Sequence, residues 1–148
     1  MKDPCPIFRC TSMLYRAGQA FYDRQLKHHG IGSGQQFFLL RVYEEPGISV
    51  LELAQRGGYD NGTATRAIQK LESQGYVRIL PDEEDRRVRR IYITDKAMSV
   101  IKDTYAAKRE WNGILMEGLT AEEQAEAEQL MARISQNARS HMREGKDQ

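Results

Sequence analysis

Apolar residues recur along most of this chain at helical spacing, and one short stretch that abandons that spacing divides it. Ile7, Leu14 and Phe21 stand seven apart, with Phe8, Tyr15 and Tyr22 beside them, which predicts one long N-terminal helix with a broad apolar seam. The glycines of Gly30-Ile31-Gly32-Ser33-Gly34 break it, and Ser33 begins a second helix through Gln36, Phe37, Leu40 and Tyr43 that stops at Pro46-Gly47. A short third helix follows in ISVLELAQRGG, with Leu51 and Ala54 on its apolar face and Gly57-Gly58 ending it through positive φ. Asp60 or Asn61 caps a fourth, in which Ala64, Ile68 and Leu71 repeat toward a core until Gly75 stops it. The period then changes. Tyr76–Leu80 and Val88–Thr94 are rich in β-branched and aromatic residues around a polar connection opened by Pro81 and Asp82, the pattern of a β-hairpin. Helical spacing returns with Ala97, Ile101, Tyr105, Trp111 and Leu115, breaks near Gly118, and resumes behind a capping box, Thr120 with Glu123. Ala127, Leu130, Ile134, Ala138 and Met142 then share one face.

Residues 48–94 thus present a short helix, a turn, a second helix and a hairpin, in the order of a DNA reader. The polar side of the second helix carries Asn61, Thr63, Thr65, Arg66, Gln69 and Lys70. Thr, Arg, Asn and Gln match the donors and acceptors of base edges in the major groove, while Lys and Arg neutralise phosphates. A solvated amphipathic helix has the same composition. The hairpin adds a second signal, since Arg86, Arg87, Arg89 and Arg90 fall within five positions at its tip, a cluster suited to a narrow minor groove. Asp82, Glu83, Glu84 and Asp85 can instead pair with those arginines. Both readings hold together if Asp85 stabilises the wing while Arg87 reaches outward.

The runs DNGTATRAIQKLESQGYV and EDRRVRRIYIT followed by DKA resemble the winged helix-turn-helix of the MarR family of bacterial transcription regulators. The resemblance rests on Asp60, Thr63, Thr65-Arg66, Leu71-Glu72, Gly75 and Asp85-x-Arg87, and extends to the flanking long helices. Three positions depart from the pattern: Gly57 stands where an apolar residue is usual, Tyr76 where Leu is, and Ala97 where Gly is. The implied fold is mainly α with a small β-hairpin wing, a winged helix-turn-helix DNA-binding core flanked by long N- and C-terminal dimerisation helices. It implies one MarR-type domain over residues 1–148, with dimerisation helices in 5–45 and 97–143 and the reader in 48–94.

Several expectations follow from that resemblance. Ile7, Leu14, Leu130, Ile134 and Ala138 would pack in a homodimer, a three-helix bundle within one chain being the alternative. Two recognition helices about 34 Å apart would read a pseudo-palindromic operator in double-stranded DNA. A small aromatic or anionic effector would alter that spacing and release a repressor, with Tyr15, Tyr22, Phe38, Tyr105 and Trp111 available to line its pocket or simply to fill core. Peroxide-sensing members carry a reactive cysteine near tyrosines of the first helix. Cys10 precedes Tyr15 by five residues, one out of register, and Arg9 beside it can favour a thiolate. A third reading keeps the fold as a protein-interaction module that has lost DNA binding.

Composition narrows the alternatives. At 148 residues the chain has room for one domain with a real core. Its net charge of +1 excludes a purely electrostatic nucleic-acid coat. Residues 55–90 hold eight Lys/Arg against six Asp/Glu, and residues 117–148 hold four against seven, so the reader is the more positive segment. No secretory or membrane address is visible, and a cytoplasmic location is expected. Cys5 and Cys10 are too few for a disulfide scaffold. Adjacent His28 and His29 are expected to diverge, with no acidic partner to complete a metal site, and His141 to be solvated. The glycines of 30–34 lack the Gly-Lys-Ser/Thr ending of a phosphate loop. No nucleophile elbow, catalytic triad or metal-ligand spacing appears, so neither an enzyme nor a cofactor is expected.

Overall fold

The computed structural model describes residues 1–145. The chain forms two compact units, one over residues 1–111 and one from residue 112 onward. The first contains α1 (Pro6–Leu26), α2 (Ser33–Glu44), α3 (Val50–Gly57), α4 (Asn61–Ser73), the strands β1 (Val77–Pro81) and β2 (Arg89–Ile93), and most of α5 (Met98–Leu115). Short 3₁₀ turns at Lys27–His29 and Asp95–Ala97 follow α1 and precede α5. The second unit holds the end of α5 and α6 (Ala121–Glu144).

Each boundary has a local cause. Ser49 caps α3 by accepting from the Glu52 N–H, and the Glu52 carboxylate accepts from the Ser49 N–H in return. Gly58, at φ 69°, ends that helix, where a side chain would be strained. Thr120 and Glu123 form the same reciprocal box at the start of α6. Ser33 is the first residue of α2 rather than its cap. Gly32 precedes it in extended backbone, and the Asp23 carboxylate accepts from the Ser33 N–H at 2.7 Å. An anion of the protein itself therefore occupies the helix end that a phosphate loop would offer.

β1 and β2 pair antiparallel in the register Val77↔Ile93, Ile79↔Ile91 and Pro81↔Arg89. A bridge from Ile48 to Ile91 ties the segment before α3 onto the free side of β2. The hairpin is thereby anchored to the helix-turn-helix. The core beneath comes from several elements: Leu26, Leu39, Val42, Leu53, Ala64, Leu71, Ile91 and Ala97 have no exposed surface. Burying each larger aliphatic side chain is worth about 1.5–3 kcal/mol.

One expected core residue is misplaced. Leu51 is 55% exposed, and α3 turns Leu53 and Ala54 inward instead. With only eight residues, α3 takes its orientation from what packs on it, and the inward face falls one step away from Leu51.

The three departures from the family pattern each have a structural counterpart. A Cβ on Gly57 would lie 2.5 Å from the Tyr59 ring and 2.7 Å from the Phe37 ring, so two aromatics occupy the space that an aliphatic side chain would take. Tyr59 also packs on Phe38, at 4.9 Å between ring centres. Tyr76 is buried yet reaches the backbone carbonyl of His29 with its hydroxyl at 2.6 Å, a bond Leu cannot make. Ala97 is fully buried, and its methyl joins the core. Gly57→Leu must push both rings aside. Leu gains roughly 1 kcal/mol over Gly in helix propensity, which offsets only part of the overpacking, so the variant should lose about 1–2 kcal/mol. An unchanged denaturation midpoint would show that the rings turn away at no cost.

Candidate nucleic-acid interface

α4 buries Ala64, Ala67, Ile68 and Leu71 and turns its other side to solvent. Asn61, Arg66, Gln69 and Lys70 are exposed there, with Thr63 and Thr65 half-buried at the edge. The first turn is tightly organised. Asp60, not Asn61, is the cap: one carboxylate oxygen accepts from the Thr63 N–H at 2.7 Å, and the other accepts from the Thr63 hydroxyl at 2.9 Å. The Arg66 guanidinium in turn donates to that hydroxyl at 3.3 Å. These bonds, led by the Thr63 N–H, hold the Asp60 carboxyl below its usual range. A depressed carboxylate contributes its stabilisation above its unfolded pKa and loses it only as pH falls through the lower folded value. The cap is therefore anionic throughout neutral pH. At the other end Lys70 reaches Gln35 of α2 at 3.5 Å.

Two acidic residues shape the wing. The Asp82 carboxylate accepts from the backbone N–H groups of Glu84 and Asp85, at 3.2 and 3.0 Å, and closes the turn. Its other oxygen accepts from Arg90 Nε at 3.1 Å. Arg90 also donates to the Gly47 carbonyl and lies 3.9 Å from Glu52, so it clamps the turn end of the hairpin onto the segment that starts α3. Hydrogen bonds from the Asp85 N–H and from Arg90 lead the causes that lower the Asp82 pKa. Asp85 forms a two-pronged pair with Arg87, at 3.0 and 3.2 Å, and accepts from the Arg87 N–H. Arg87 nevertheless remains 90% exposed. Among the described residues, the exposed side chains of Arg86 and Arg89 make no hydrogen bond or ion pair. The arginine cluster thus separates into one clamp, Arg90, one braced outward cation, Arg87, and two open cations.

The alternative in which acidic residues of the connection pair with the wing arginines holds for Asp82 with Arg90 and for Asp85 with Arg87; the sequence did not show that Arg90 would also reach Gly47. If Arg87 acts on phosphates and minor-groove potential, Arg87→Ala should weaken specific and unrelated DNA alike and lower the salt slope by about one unit. A loss confined to one base position, with the slope intact, would make Arg87 a sequence reader instead.

Of the five aromatics expected around an effector, Tyr22 and Trp111 meet at Phe21, and Phe38, Tyr105 and Tyr15 lie in other surroundings. Phe38 is buried in the core against Phe37 and Tyr59. Trp111 stacks on Phe21 at 4.9 Å, and Phe21 meets Tyr22 edge-on at 5.7 Å. Tyr105 donates to Glu44 at 2.9 Å, and burial, then that bond, pushes its pKa up to about 12. Tyr15 is exposed and accepts from Gln19. Ile7, Leu14, Leu130, Ile134 and Ala138 all lie on exposed surface of the single chain. Cys5 and Cys10 are exposed free thiols, and Arg9 pairs with Asp3 at 3.1 Å. The expected divergence of His28 and His29 is corrected. The tight 3₁₀ turn brings both rings onto Asp103 of α5, at 3.3 and 2.7 Å.

A capped helix with an exposed polar face, set against an anchored arginine-tipped hairpin, defines a winged helix-turn-helix. Known proteins agree. The MarR family model matches residues 33–88. The HTH-type transcriptional regulator YybA of Bacillus subtilis is 32% identical over 131 residues, 88% of this chain and 87% of that protein. A MarR transcriptional regulator from Methanosarcina mazei shares 34% identity and superposes with a TM-score of 0.84 over 93% of this chain and 92% of its own. A MarR-family regulator from Listeria monocytogenes, solved with a 26mer DNA, shares the fold at TM-score 0.87 with 23% identity, over 95% and 92% of the two chains. The chain belongs to the MarR family of transcriptional regulators. Among the described residues, no helix is long and apolar enough to cross a membrane.

Proposed function

We propose that this protein is a sequence-specific regulator that binds a pseudo-palindromic operator in double-stranded DNA as a homodimer. The observation that carries the reading is the pairing, within one compact unit, of the exposed Arg66, Gln69 and Asn61 face of α4 with the braced Arg87 of the wing. The helix supplies groups that discriminate bases, and the wing supplies charge for the backbone or minor groove. The DNA bound to the Listeria relative favours the same use of the fold. Dimerisation is supported by the apolar side chains that α1 and α6 leave exposed, Ile7, Leu14, Leu130 and Ile134 among them. Repression relieved by a small aromatic or anionic effector completes the proposal, with Tyr15 the most accessible of the five aromatics.

Selection of bound sites from a random DNA pool, followed by sequencing, tests this directly. A recovered palindrome with half-site centres about one helical turn, ~34 Å, apart supports the paired-reader geometry. A featureless pool would instead favour a protein-interaction module built on the same fold.

A further inference from the structure

Away from the DNA-reading face, the 3₁₀ turn after α1 meets the middle of α5 in a small polar cluster. His28 and His29 both aim Nε2 at one carboxylate oxygen of Asp103, at 3.3 and 2.7 Å. One ligating atom from each residue lies within 4.8 Å of the others. The two rings sit 4.0 Å apart at 41°. Asp103 comes from 74 or more positions further along the chain, so the cluster is a tertiary contact rather than an accident of local sequence.

Two imidazole nitrogens and one carboxylate oxygen form a mixed donor set of the kind zinc takes. Magnesium and calcium select all-oxygen sites, so the two nitrogens argue against them. In a tetrahedral site with bonds of about 2.0–2.1 Å, neighbouring ligand atoms lie about 3.3 Å apart. The His28–Asp103 separation has that length, and the shorter His29–Asp103 separation reaches it with a small side-chain adjustment. His29 is the well-held ligand. Its side chain is 14% exposed, and its carbonyl is fixed by the Tyr76 hydroxyl, whereas the His28 side chain is 62% exposed. Three protein ligands with one open side leave a fourth position for water.

We propose that His28, His29 and Asp103 bind one divalent transition-metal ion, with zinc the best fit, and that the ion pins the turn after α1 to α5. No part of this depends on DNA binding. A ligand held only by the folded state stabilises it by mass action, so the link should appear in thermal unfolding. The rival arrangement is a hydrogen-bonded His–Asp–His cluster without metal, and direct binding separates the two.

The test uses the full chain, stripped with EDTA and titrated with Zn²⁺ by calorimetry. Cys5 and Cys10 are replaced by Ser so that the exposed thiols do not compete. One Zn²⁺ per chain is expected, with a raised Tm, and Asp103→Asn or His29→Ala should weaken binding at least about tenfold. His28→Ala covers the case in which the more buried His29 variant fails to fold. Cobalt in place of zinc should give the visible bands of a tetrahedral site, without a thiolate charge-transfer band even in the chain that retains Cys5 and Cys10. Absence of binding at stoichiometric excess, or equal affinity in parent and all three variants, would overturn the proposal.

Discussion

Arg66→Ala should strongly weaken operator preference while leaving the fold and the state of assembly unchanged. The Arg66 guanidinium lies exposed on α4 and is held only by a 3.3 Å bond to the Thr63 hydroxyl. The Asp60 cap does not depend on it, because Asp60 engages the Thr63 N–H and hydroxyl directly. Removing the guanidinium therefore spares the helix start. A side chain that reads a base edge contributes about 1–3 kcal/mol of discrimination. In a two-fold dimer the loss occurs in both half-sites, about 2–6 kcal/mol if the two are independent. Specific affinity should fall by that amount toward the non-specific level while circular dichroism and sedimentation stay unchanged. Parental affinity for the selected operator would remove Arg66 from the interface.

How far such residues can be read from sequence depends on the range over which their positions are determined. Asp60, Gly58, Gly75 and the Thr120–Glu123 box are set within three or four residues, and each takes the role that its local pattern implies. The polar face of α4 is legible for the same reason: thirteen residues at helical spacing leave little freedom about which side is buried. Leu51 shows the limit. A helix of eight residues has an ambiguous face, resolved by its packing partners. Arg90 shows another, since four arginines in a row of five look equivalent until pairing across the hairpin sends one of them to Asp82 and Gly47. The aromatics and His28-His29 lie furthest from local control. Phe38 is core and Tyr15 is surface because of elements distant in sequence, and the convergence of two histidines on Asp103 spans most of the first unit.

Ile134→Glu should be the most disruptive single change in the C-terminal unit. α6 has no buried residue, yet Leu130 and Ile134 remain 45% and 39% exposed along one face, with Ala138 a turn further on. A helix of 24 residues with none fully buried gains little from packing within its own chain, and helical stability in proteins comes mainly from packing of an apolar face. A second copy would supply that packing. In a two-fold interface each side chain counts twice, and burying a Leu or Ile is worth about 1.5–3 kcal/mol per copy. A carboxylate in its place loses that burial and must also be desolvated or excluded. Sedimentation should show monomers, and these should lose operator binding because a single reader forfeits the second half-site. Ile134→Ala, which removes bulk without adding charge, should weaken the dimer less and serves as the reference if the Glu variant unfolds. Substitution of Glu128, elsewhere on α6, should leave the assembly unchanged. An Ile134→Glu protein that stays dimeric with parental affinity would place the interface outside this stripe. Ile7 and Leu14 of α1 would then have to carry it.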